Sequence, residues 1–124
     1  MNNAKLTLTS EQAKQSMLAL IVCRNSVKKG FKSSYGFFEG RKKIEIYDNV
    51  KDKFISFFDE SSEEKEYHFH LSSDELTMLG SFLIFYIAEI NQDELTTETQ
   101  FKILNELKAT LEKVQLLDQS LEVV

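Results

Sequence analysis

The spacing of apolar residues changes several times along this chain, and each change predicts an element. Lys5-Leu6-Thr7-Leu8 alternates, as a short half-buried strand does. Thr9 or Ser10 then caps a helix, because a side-chain hydroxyl accepts from the free N–H groups of the first turn. With Thr9 as the cap, Gln12 stands at the third helical position and completes a capping box. Met17, Leu18, Leu20, Ile21 and Val22 supply the apolar face, and Lys28-Lys29-Gly30 reads as the helix end.

An aromatic, glycine-bearing stretch follows, and the period then drops to two. Lys43-Ile44-Glu45-Ile46-Tyr47 alternates and predicts a strand. Asp48-Asn49 opens a turn, and Phe54 to Phe58 (FISFF) predicts a second strand. Asp59 to Glu66 is an acidic connection, read as a hairpin loop. Tyr67-His68-Phe69-His70-Leu71 alternates again. Ser72 or Ser73 caps the next helix, with Asp74 and Glu75 at its positive end. Leu76, Leu79, Leu83, Ile87 and Ile90 repeat at helical spacing, widened by Phe82, Phe85 and Tyr86. The last segment, Glu98 to Leu121, places Leu104, Leu107, Leu111, Val114 and Leu121 near heptad spacing. It predicts a helix packed on its own domain or, alternatively, a short intermolecular coiled coil.

These elements predict an α+β fold, with an antiparallel sheet of three or four strands packed against two or three helices. Residues 1–124 read as one domain. It comprises a strand–helix unit (1–30), antiparallel strands (37–71), a buried helix (72–91) and a C-terminal helix (97–121). KLTLTSEQAKQSMLAL also echoes HFHLSSDELTMLGSFL, from shared local physics or from duplication.

Composition narrows the function. A chain of 124 residues with 42% hydrophobic content builds a core without metals or disulfides. Its single cysteine, Cys23, has no internal partner, which fits a reducing compartment. The longest apolar run, Phe82 to Ala88, is far short of the roughly 20 residues of a membrane span. No signal peptide is readable, so the expected location is cytoplasmic. No nucleophile–base pair or phosphate-binding glycine pattern stands out, so a non-enzyme without cofactors is expected. His68 and His70 share one strand face but need further ligands to hold zinc, and a metal site is not expected. Cys23 reads as a structural thiol.

Charge changes the picture most. The net charge is −5, yet Arg24 to Lys53 holds nine cations against four acids, a local +5 that leaves −10 for the remainder. Aromatics interleave with these cations, the pattern by which single strands are bound through phosphate tracks and base-stacking platforms. The expected nucleic-acid-binding residues are Arg41, Lys42, Lys43, Tyr47, Lys51, Lys53 and Phe57, together with Lys28, Lys29 and Lys32. Phe37 and Phe38 precede the first of these strands.

The run FFEGRKKIEIYDNVKDKFISFFDES, an acidic loop and then YHFHLSSDELTML resembles the single-stranded-DNA-binding domain of the positive cofactor four coactivators and the wider Whirly-like group. The resemblance spans residues 37–79. It implies a curved antiparallel sheet with a cationic face, dimerisation through the helix, and basic roles for Arg41, Lys43, Lys51 and Lys53. Asp48 and Asp59 depart from that basic pattern. The expectation is therefore a homodimeric single-stranded nucleic-acid binder. The alternative is an acidic protein-interaction regulator or inhibitor, such as mobile elements encode, that occupies a basic groove of a partner through Asp59, Glu60, Glu63, Glu64 and Glu66.

Overall fold

The computed structural model describes residues 3–60, 65–92 and 97–122. Its elements run β1 (Asn3–Thr9), α1 (Ser10–Glu60), β2 (Glu66–Ser72), α2 (Ser73–Gln92) and α3 (Glu98–Glu122). β1 and β2 form one antiparallel two-stranded ribbon, the sole sheet among the described residues.

The three- or four-stranded sheet is thus overturned, and with it the curved sheet implied by the Whirly-like resemblance. Residues 43–47 and 54–58, expected as two strands, and the turn expected between them are helical. The alternation at 43–47 spans five residues only. Over a longer window Ile44, Tyr47, Val50 and Phe54 follow the helical period, and all four are buried. Ile44, Ile46, Val50 and Ile55 favour a strand locally, but with no proline or glycine between 41 and 58 the burial of the helical stripe decides. Gly30, expected to end the first helix, lies inside it. A single glycine costs a helix interior only about 1 kcal/mol.

The helical geometry of α1 breaks at Gly36, whose φ of 83° and ψ of 180° belong to a region that only glycine enters freely. The chain reverses there, so α1 is an antiparallel hairpin with a first arm (10–35) and a second arm (37–60). Close to the reversal, a Cβ on Gly40 would lie 2.9 Å from the Phe31 carbonyl oxygen, so the arms touch through backbone. Farther down, Arg24 grips Asp48 through two hydrogen bonds of 2.8 Å. The Tyr47 hydroxyl donates to the Leu20 carbonyl.

Two capping boxes start the helices that leave the ribbon. Thr9 and Gln12 exchange hydrogen bonds of 3.0 and 3.2 Å, and Ser72 and Glu75 do so at 2.8 and 3.2 Å. A third box, Thr97 with Gln100, opens α3.

Superposing the first two boxes along the sequence matches Thr9 with Ser72, and hence Leu6 with Phe69. Leu6 also pairs with Phe69 across the ribbon, while Asn3 pairs with Ser72 and Thr9 with Glu66. Each strand therefore meets its own counterpart, about a two-fold axis through the Leu6–Phe69 pair. The likeness continues into the helices. Ala13, Ser16 and Leu20 correspond to Leu76, Leu79 and Leu83, all buried. Ile44, Tyr47, Val50 and Phe54 correspond to Leu104, Leu107, Thr110 and Val114, again all buried. The molecule is two strand–helix–helix units sharing one core.

The ribbon buries Ala4, Leu6, Leu8, Tyr67, Phe69 and Leu71 on one face. Phe54 stacks on Phe69 with ring centroids 4.1 Å apart, and Phe57 packs against Tyr67 and Phe69. Leu76, Leu79, Leu83, Leu104, Leu107 and Val114 are buried within the chain. That removes them from any seam with a second copy.

Candidate nucleic-acid interface

Folding sorts the nine cations of the basic segment into two groups. Three are held by partners inside the scaffold. Arg24 binds Asp48. Lys51 lies 3.5 Å from Asp48 and 3.7 Å from Asp52. Lys53 lies 2.7 Å from Glu75 and donates to the His70 carbonyl at 2.9 Å. The hydrogen bonds from Arg24 hold the Asp48 carboxyl below its ordinary pKa of 3.8. For Glu75, burial alone would raise the pKa, but the hydrogen bonds from Lys53 and Ser72 outweigh it and the net shift is downward.

The other six cluster at the closed end of the hairpin. Lys28, Lys29 and Lys32 come from the first arm, and Arg41, Lys42 and Lys43 from the second. All are exposed except the half-buried Lys43. One acid, Glu39, interrupts residues 28–43, and it lies 3.4 Å from Lys42 across solvent. Such an exposed contact does little to neutralise the patch. Helical geometry explains the convergence. Each arm carries its cations within its last or first two turns beside Gly36, and the reversal sets the two sets side by side.

Aromatic rings share this tip. Tyr35, Phe37 and Phe38 are 53%, 59% and 78% exposed, values far from those of core aromatics. Phe37 and Phe38 meet edge to face at 5.4 Å. The Lys43 ammonium sits 5.4 Å above the Tyr35 ring.

The aromatics expected to stack bases are elsewhere. Tyr47 is fully buried, and burial pushes its phenol well above the ordinary value of 10. Phe57 belongs to the ribbon cluster. The correction has one cause: a helix, not a strand, carries these residues and turns them inward. Tyr35 was missed, and so was the reversal that gathers the tip. Two glycines within five residues, Gly36 and Gly40, were the available signal.

The acidic candidates fall largely outside the described residues. Glu63 and Glu64 lie among the residues not described, Asp59 and Glu60 are placed only as the end of α1, and Glu66 is exposed on β2. His68 and His70 are exposed on the ribbon face, with His68 Nδ1 2.9 Å from the Thr7 hydroxyl. Among the described residues no three of His, Cys, Asp and Glu gather as metal ligands do. Burial pushes the Cys23 thiol up, away from nucleophilic character. No described helix is long and apolar enough to cross a membrane.

Beside the tip lies a half-open cleft of about 490 Å³, between the two arms of α1 and one face of α2. Phe31, Tyr35, Phe82 and Phe85 give it aromatic walls, and Lys43 and Asp74 contribute its charges. Comparison with protein-family models, with curated proteins and with solved structures finds no match for this chain.

Proposed function

We propose that this protein binds single-stranded nucleic acid through the cationic, aromatic tip of its helical hairpin. The observation that carries this reading is the difference between two equivalent units. The second unit repeats the strand–helix–helix order, and at the positions that match the tip its sequence is poor in cations. Arg41 and Lys43 have Phe101 and Ile103 as counterparts, Lys42 alone keeps a cation in Lys102, and the stretch matching 28–32 in the sequence, 91–95, reads Asn-Gln-Asp-Glu-Leu with no cation. Five of the six clustered cations have no cationic counterpart, so the cluster is not a requirement of the scaffold.

The chemistry matches a single strand. Ammonium and guanidinium groups neutralise phosphates, while Tyr35, Phe37 and Phe38 offer faces and edges to unpaired bases. The acidic remainder of the chain repels the same polyanion and so directs it to the tip.

Fluorescence anisotropy with a labelled single-stranded oligonucleotide tests the reading. If all six cations engage phosphates, log K falls with log salt at a slope of roughly −4. Lys28→Glu with Lys29→Glu and Lys32→Glu abolishes binding, Phe37→Ala with Phe38→Ala weakens it roughly tenfold or more, and Lys14→Glu with Lys108→Glu, away from the tip, changes little. Binding that survives the tip reversal overturns the reading. Equal binding to anionic lipid vesicles would mark the tip as a general polyanion surface instead.

A further inference from the structure

We infer that the cleft beside the tip receives one unstacked nucleobase of the bound strand, and that it favours guanine. This inference rests on the tip being the strand-binding surface, and it adds a base-reading site to it.

The cleft and the tip are continuous, because Tyr35 and Lys43 belong to both. Its walls are the faces and edges of Phe31, Tyr35, Phe82 and Phe85. A volume of about 490 Å³ lies in the range of small-molecule pockets and exceeds the needs of a single base. The charges order the occupant. Lys43 stands at the tip end. Asp74 stands at the ribbon end, next in sequence to Glu75, which Lys53 holds. A phosphate is drawn to the Lys43 end and repelled from the Asp74 end, so a nucleotide enters with its backbone at the tip and its base inside.

Asp74 then decides which base. It is exposed, and among the described residues its carboxylate has no ion pair. Ionised, it only accepts hydrogen bonds. Guanine alone offers two adjacent donors on its Watson–Crick edge, N1–H and N2–H, which match the two carboxylate oxygens. Adenine, cytosine and thymine each present a single donor group there, beside an acceptor that a carboxylate repels.

The second unit separates the aromatic walls and the lysine from the scaffold, while the acid at Asp74 has a counterpart in Glu11. Phe82 and Phe85 have Ala19 and Val22 as counterparts, and Lys43 has Ile103. Ala19 and Phe82 are both buried, so either residue serves the core at that place. Phe85 is 47% exposed, so its ring contributes more to the cleft than to the core.

The test compares labelled oligothymidine with the same oligomer carrying one central guanine, or one central adenine, using the whole protein. Wild type is expected to bind the guanine oligomer about tenfold tighter than the other two. Asp74→Asn removes that preference and brings the affinities for the three oligomers together, because an amide both donates and accepts. Phe85→Ala weakens the guanine oligomer about tenfold, with an unchanged circular-dichroism melt. Lys28→Glu with Lys29→Glu weakens all three oligomers alike. Equal wild-type affinity for the three, or a guanine preference that survives Asp74→Asn, overturns the base site while leaving the tip reading intact. Absence of binding to every oligomer at low salt overturns both.

Discussion

Gly36 shows how much one residue controls here. Its φ of 83° with ψ near 180° is closed to side-chain-bearing residues, although open space surrounds its Cα. The obstacle to a substitution is therefore torsional and not steric crowding by neighbours. Gly36→Ala is expected to cost about 1–3 kcal/mol in urea unfolding, and to lower oligonucleotide affinity by splaying the tip. A neutral Gly36→Ala would show that the reversal is not built as described. Asp48 is the residue-scale counterpart on the polar side. In the sequence it stood out as an acid within a basic run. In the fold it is the anion that joins the arms through Arg24. A local charge tally could not separate a residue that opposes a ligand from one that ties two helices together.

Among the elements, the ribbon has two open edges, and each receives a lysine from the other unit. Lys53 donates to the His70 carbonyl and to Glu75, while Lys113 donates to the Thr7 carbonyl and to Gln12. The two arrangements occupy equivalent places, but one lysine faces a carboxylate and the other a neutral amide. Lysine on a strand edge also blunts pairing with foreign strands. Removing Lys53 leaves a mostly buried anion without its cation. Lys53→Met is accordingly expected to cost about 2 kcal/mol and Lys113→Met about 1 kcal/mol. Equal losses in denaturant titrations would refute the ionic distinction. The helix starts were legible at this scale, because capping is local: Thr9 with Gln12 and Ser72 as a cap were readable from spacing alone. The second arm was not, because five alternating residues competed with a helical period that only a longer window reveals.

For the molecule as a whole, the cationic segment was legible and its division was not. Lys28 to Lys43 and Lys51 to Lys53 look alike in sequence. What separates them is a core that supplies Asp48 and Glu75 to some cations and nothing to the rest. Both carboxylates are held below their ordinary pKa values, so folding favours their ionised forms. Their stabilisation is present above the unfolded values of 3.8 and 4.5 and is lost as pH falls through the depressed folded values. Urea unfolding should thus show little contribution from these two groups to pH dependence above about pH 5, then falling stability below about pH 4.5. Constant stability down to about pH 3 would contradict it. The internal echo between KLTLTSEQ and HFHLSSDE proves to be the axis of the architecture. Because Leu6 pairs with Phe69, that axis has a consequence in time as well as space. On the ribosome the first strand emerges long before its partner is made, whereas the α1 hairpin needs only neighbouring residues to close. The arms of the cationic tip are therefore complete in the nascent chain before Leu6 and Leu8 can meet their ribbon partners, which waits until residue 72 has left the exit tunnel.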